Sequence, residues 1–139
     1  MDNTPDVWMS EVNTHKYFAQ FLSEDKPYNW VVCIPAPTSG PYCGIETWWQ
    51  LVFPANFPKV APAVMAQAGF PHPNLGGDGE NQRLCTAAIQ SGWKSGYGVN
   101  KVLAAIEAAL ASPDWGHNLS KLENAAALAT AVASWKQKI

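Results

Sequence analysis

Phe70-Pro71-His72-Pro73-Asn74-Leu75-Gly76-Gly77-Asp78-Gly79-Glu80-Asn81-Gln82-Arg83-Leu84-Cys85-Thr86-Ala87-Ala88-Ile89-Gln90-Ser91-Gly92-Trp93 is where this chain concentrates its chemistry. An accessible thiol can carry an acyl group when a donor stabilises the oxyanion formed on attack and water is held back. Here Cys85 supplies the thiol, Asn74 an amide with N–H donors, and His72-Pro73 a stiff backbone leading into that amide. The stretch Gly76-Gly77-Asp78-Gly79 reads as loop, because closely spaced glycines neither hold a helix nor fill a strand. That places Cys85 just past a long turn, among the small residues Thr86, Ala87 and Ala88. The other cysteines contrast with it. Cys33 lies in the apolar run Val31-Val32-Cys33-Ile34 and reads as core; Cys43, between Tyr42 and Gly44, reads as an exposed turn.

Outward from this segment, the chain breaks into elements with different periods. Pro5 to Leu22 places Val7, Trp8, Val12, Tyr17, Phe18, Phe21 and Leu22 on an imperfect helical stripe, with Pro5 at a first turn. Tyr28 to Ile34 and Ile45 to Phe53 are rich in β-branched and aromatic residues, and the rigid turn Pro35 to Pro41 joins them as an antiparallel pair. Val60 to Gln67 forms a further strand, entered through the prolines at 54 and 58. Past Trp93 the period changes. Val99 to Ala111 aligns Val102, Leu103, Ile106 and Leu110 on one helical face and stops at Ser112-Pro113, and Leu119 to Lys136 reads as an Ala-rich helix. The order is α+β, with an antiparallel sheet covered on one face.

At 139 residues the chain is expected to be a single domain spanning 1–139. A formal charge of −2, with no cluster of Lys or Arg, gives no electrostatic footprint for nucleic acid or an anionic membrane. No apolar run approaches the roughly 20 residues that span a bilayer, and the acidic start Met1 to Asp6 is unlike a signal peptide. A cytoplasmic location is the expectation. The cysteines are three, with no C-x-x-C pair, which suggests neither a disulfide framework nor a zinc site, and His72 has no second metal ligand at a usable spacing. Seven tryptophans and only 14% charged residues hint at interaction faces.

Taken in order, four features resemble the ubiquitin-conjugating enzyme family: Pro41-Tyr42-x-Gly44; Phe53-Pro54-x-x-Phe57-Pro58-x-x-Ala61-Pro62; His72-Pro73-Asn74; and Leu84-Cys85 followed by Trp93. Each is weak alone, and the ordered set is specific. The resemblance runs from Trp30 to about Leu119. It implies the fold of that family: an N-terminal helix, a four-stranded antiparallel meander, an active-site loop and C-terminal helices. It also implies a thioester carrier that needs no cofactor. An activating enzyme would hand the C-terminus of a ubiquitin-like modifier to Cys85, and an amine, usually a lysine, would then attack. By position, Asn74 is the oxyanion or loop-stabilising amide and His72 is mainly architectural.

The departures from the family pattern carry information of their own. The loop between Asn74 and Cys85 is about three residues longer than the commonest form and carries Gly77, Asp78 and Glu80. Ala87 stands where an Asp is common. His117 aligns with the acidic residue that often gates the cysteine, and a histidine there can take a proton from an incoming amine; Asp114 is a weaker candidate. Lys59 and Lys94-Ser95-Gly96 replace residues that relatives show to ligases, and the first helix has Asp6, Glu11 and only Lys16 where relatives place a basic cluster. These differences suit a divergent system with its own activating enzyme, ligase or protein substrate, of the kind found in bacterial operons. Two other functions stay open on the residues alone: an inactive scaffold of the same fold, and a thiol hydrolase using Cys85 with His72 or His117.

Overall fold

The computed structural model describes residues 4–67, 69–76 and 82–137. The N-terminal helix α1 spans only Pro5–Ser10, with the proline in the first turn where its missing N–H costs nothing. The helical stripe expected to run to Leu22 is broken at Asn13. Its carbonyl accepts the N–H groups of Lys16 and Tyr17, and its side chain accepts that of His15, closing a tight turn. The chain then leaves in extended form as strand β1, Phe18–Phe21. Apolar residues at 17, 18 and 21 fit either period. Pairing with the next strand decides between them.

That strand, β2 (Asn29–Ile34), pairs antiparallel with β1 in the register Phe18 to Cys33. Strands β3 (Thr47–Val52) and β4 (Ala63–Ala66) continue the meander, each a little shorter than the apolar run that encodes it. Two short strands, β5 (Leu75–Gly76) and β6 (Arg83–Leu84), extend the sheet to six in the order β1-β2-β3-β4-β6-β5. The family's four-stranded meander is therefore present, with a two-residue ladder added at its edge. Gly76, expected in a loop, pairs with Arg83 instead. Gly77, Asp78 and Glu80 lie outside the described residues.

Alternation along the strands sorts the faces. Trp30, Val32, Ile34, Trp49, Leu51 and Val64 point into the core, where they meet Val102, Leu103, Ile106 and Leu110 of helix α2, Val99–Ala111. On the uncovered face Phe18 and Trp48 stack edge to face, 51% and 43% exposed. The turn between β2 and β3 lies close on α2. At Gly40 (φ 86°) an added Cβ would come within 2.8 Å of the Ala111 carbonyl oxygen. Helix α3 spans Ala125–Gln137 and starts six residues later than its Ala-rich composition suggests. The intervening residues are held in turns. Asn118 Oδ1 accepts from the N–H and hydroxyl of Ser120, and Asn124 Oδ1 caps the helix through Ala127 N–H.

A second aromatic layer holds the active segment from below. Trp8 of α1 packs on Phe53 and Phe57 of the proline-rich motif, and Phe57 lies against Trp93. The Trp93 indole N–H donates to the Pro58 carbonyl at 2.8 Å, which ties the chain beyond Cys85 to that motif. Trp93→Ala should cost about 2 to 3 kcal/mol in urea unfolding, since it removes a part-buried ring and its hydrogen bond. Trp93→Phe should recover all but about 1 kcal/mol of this. An Ala variant as stable as wild type would show that the ring does not support the fold.

Candidate active site

Three segments meet at Cys85: the His72-Pro73-Asn74 turn, the end of β6, and the single 3-10 turn Trp115–His117 that follows α2. Leu84 is fully buried and anchors the strand, so Cys85 emerges at its end, half-buried, with its N–H on the Asn74 carbonyl at 2.9 Å. The chain then folds back in a tight turn from Thr86 to Gly92, with Ile89 buried beneath it. At Gly92 any Cβ would stand 2.8 Å from the Ala87 carbonyl oxygen, which instead accepts the Gly92 N–H at 2.7 Å. Only glycine closes this turn without displacing backbone.

His72 is buried at 2% exposure, and both its ring nitrogens are occupied. Nε2 lies 2.8 Å from the Ala109 carbonyl of α2, and a carbonyl can only accept, so Nε2 carries the proton. Nδ1 then accepts the Asn74 N–H at 2.9 Å. The ring is stacked on Tyr42, which donates its hydroxyl proton to the Pro71 carbonyl. Burial lowers the His72 pKa to about 4, partly offset by the Ala109 hydrogen bond. Both ring nitrogens of His72 are thus engaged within the protein, tying the turn to α2.

Asn74, 1% exposed, binds the gate segment rather than facing outward. Its amide nitrogen donates to the carbonyls of Asp114 (2.8 Å) and His117 (2.9 Å), and its oxygen accepts the Asp114 N–H (2.9 Å). The Leu119 N–H adds a further bond to the Pro73 carbonyl at 2.7 Å. With both N–H groups on carbonyls, none remains for an oxyanion. Of the two roles expected for Asn74, the geometry is that of the loop-stabilising amide.

Because this latch holds the backbone at 114–119, the exposed His117 side chain reaches the thiol: Nε2 stands 3.3 Å from Cys85 Sγ. Asp114 caps the same turn, its Oδ1 accepting the Gly116 N–H at 3.0 Å. It thus has the capping role that made it the weaker candidate as a base. A cleft of about 150 Å³ opens next to Thr86, lined by Asn74, Thr86 and Asp114 together with the small side chains of Ala88, Ala105, Ala108, Ala109 and Ser112. Sequence reading singled out both members of the Cys85–His117 pair. It missed the small-walled cleft, whose alanines lie on two separate segments. Among the described residues no group of His, Cys, Asp and Glu side chains is placed to hold a metal ion.

The ubiquitin-conjugating enzyme family model matches residues 6–138, nearly the whole chain. The chain belongs to the ubiquitin-conjugating enzyme family. Solved structures give the same fold at low identity. The E2 domain of a Toxoplasma gondii ubiquitin conjugating enzyme superposes with a TM-score of 0.79 at 20% identity, covering 96% of this chain and 94% of that one. A Plasmodium yoelii protein assigned as a ubiquitin conjugating enzyme gives 0.77 at 18% identity, covering 100% and 96%. Nothing in these matches supports the bacterial-type placement suggested by the departures. Membership implies, at family level, work with ubiquitin-like modifiers, activating enzymes and ligases.

The His72 environment yields a pH test. The folded state favours the neutral ring, whereas the unfolded chain takes up a proton near the ordinary value of 6.5. Between pH 6.5 and about 4 the unfolded state therefore binds more protons, and stability falls as pH drops through that window. Going from pH 7 to pH 5 should cost the wild type about 2 kcal/mol from this group, and His72→Gln should lack that loss. Urea denaturation at the two pH values checks it. Equal pH dependence in both proteins would contradict the assignment.

Proposed function

We propose that the chain accepts the C-terminus of a ubiquitin-like modifier as a thioester on Cys85 from an activating enzyme and passes it to an amine, typically of lysine. The observation that carries this reading is Cys85 itself, half-exposed at a strand end with an imidazole 3.3 Å from its sulfur. A thiol in that setting is a nucleophile with a proton acceptor at hand. The cleft next to Thr86, lined mostly by small side chains, suits a thin extended tail ending in small residues.

In the first half-reaction Cys85 Sγ attacks the acyl carbon of the incoming thioester and the donor's sulfur leaves. In the second, the amine nitrogen attacks the Cys85 thioester, loses a proton to His117 Nε2, and Cys85 departs as the leaving group. The Asn74 side chain keeps the His117 backbone in place while His72 braces Asn74 against α2. Oxyanion stabilisation falls to donors other than the Asn74 amide, whose N–H groups are in use.

Incubation with an activating enzyme, ATP and the modifier, followed by mass spectrometry with and without reductant, tests the reading. The wild type should give a reductant-sensitive adduct on Cys85, Cys85→Ser a reductant-resistant oxyester, and Cys85→Ala no adduct although it folds. Charging retained by Cys85→Ala would exclude Cys85 as the carrier.

A further inference from the structure

His117 Nε2 stands 3.3 Å from Cys85 Sγ, near enough to act on the thiol itself as well as on an amine. We propose that His117 is the proton acceptor for the Cys85 thiol in the loading step, so that one imidazole serves both half-reactions. The acyl donor in this scheme rests on the function proposed above. The pairing of thiol and imidazole does not.

The geometry requires little movement. Nε2 at 3.3 Å from Sγ is within hydrogen-bonding distance for sulfur. The imidazole is exposed, so it exchanges protons with solvent, while its backbone is held from behind by Asn74 and by the Asp114 cap on the same turn. During loading the Sγ–H proton passes to Nε2 as the sulfur lone pair forms the S–C bond to the acyl carbon of the incoming thioester. The donor's C–S bond breaks, and the departing thiolate takes the proton back from Nε2. The imidazole ends neutral, and Cys85, now acylated, has no proton to hold it. Nε2 is then free for the proton of the amine. A carboxylate at this position would be a far weaker acceptor for a thiol proton.

The chain carries its own controls for a direct test. Cys43 is exposed and Cys33 is buried, so they report ordinary thiol reactivity and loss of fold respectively. The protein is treated with iodoacetamide at pH 7, and the labelling rate of each cysteine is followed by peptide mass spectrometry. The imidazole beside the sulfur offers Cys85 a proton acceptor during alkylation. Cys85 should therefore label about tenfold faster than Cys43, and His117→Gln should lower that ratio about tenfold. An unchanged ratio in the variant would overturn the proposal. If Cys33 becomes labelled in His117→Gln, showing that it has unfolded, the wild-type ratio decides: Cys85 labelling no faster than Cys43 would overturn it as well. Neither readout uses a modifier, an activating enzyme or ATP. A failure of the thioester-carrier reading, seen as absence of charging, is thus separate from a failure of this one.

Discussion

The side-chain amide of Asn74 organises the site. It is buried, and its three hydrogen bonds to Asp114 and His117 fasten a turn 40 residues further along the chain to the segment that precedes Cys85. Each such bond contributes on the order of 1 kcal/mol net, but a buried amide or carbonyl left without its partner costs more, so the contacts hold or fail together. His72 extends the same chain of bonds to α2, and the uncharged ring matters because only the neutral tautomer can donate to Ala109 while accepting from Asn74. The thiol, the imidazole and the core helix are in this way parts of one hydrogen-bonded unit.

The consequence for chemistry is a matter of where strain and freedom are placed. Leu84, Ile89 and the Trp93–Pro58 bond immobilise the chain on both sides of Cys85. His117 is exposed, beyond a backbone held by Asn74, and its ring reaches the sulfur. An acidic gate residue can attract an ammonium but is a poor base for a thiol; an imidazole is neutral enough to pack beside sulfur and basic enough to take its proton.

Much of this could be read from residues alone, and the places where reading stopped have physical causes. The helix at Val99–Ala111 was legible to the residue because its apolar face is regular and Ser112-Pro113 ends it. Cys85 and His72 stand in the ordered motifs, and His117 was singled out by its alignment with the family's acidic gate residue. The segment 5–22 misled because residues 17, 18 and 21 satisfy both periods, and only the turn at Asn13 and pairing with β2 decide. The late start of α3 was hidden for a similar reason: Ala-rich composition favours helix everywhere, whereas the Asn118 and Asn124 side chains select turns and a cap locally. Asn74 shows a different limit. Its sequence context says that an amide is needed, but not whether its donors face a reacting carbon or a neighbouring carbonyl.

The claim that Asn74 positions His117 on the thiol is tested most directly by a double-mutant cycle on Cys85 labelling by iodoacetamide at pH 7, comparing Asn74→Ala, His117→Gln and the pair. If the latch acts through His117, the Asn74 variant loses Cys85 reactivity to about the same degree as His117→Gln, and the double variant loses no more than either alone. Additive losses, or an Asn74→Ala protein that labels like the wild type, would contradict the account.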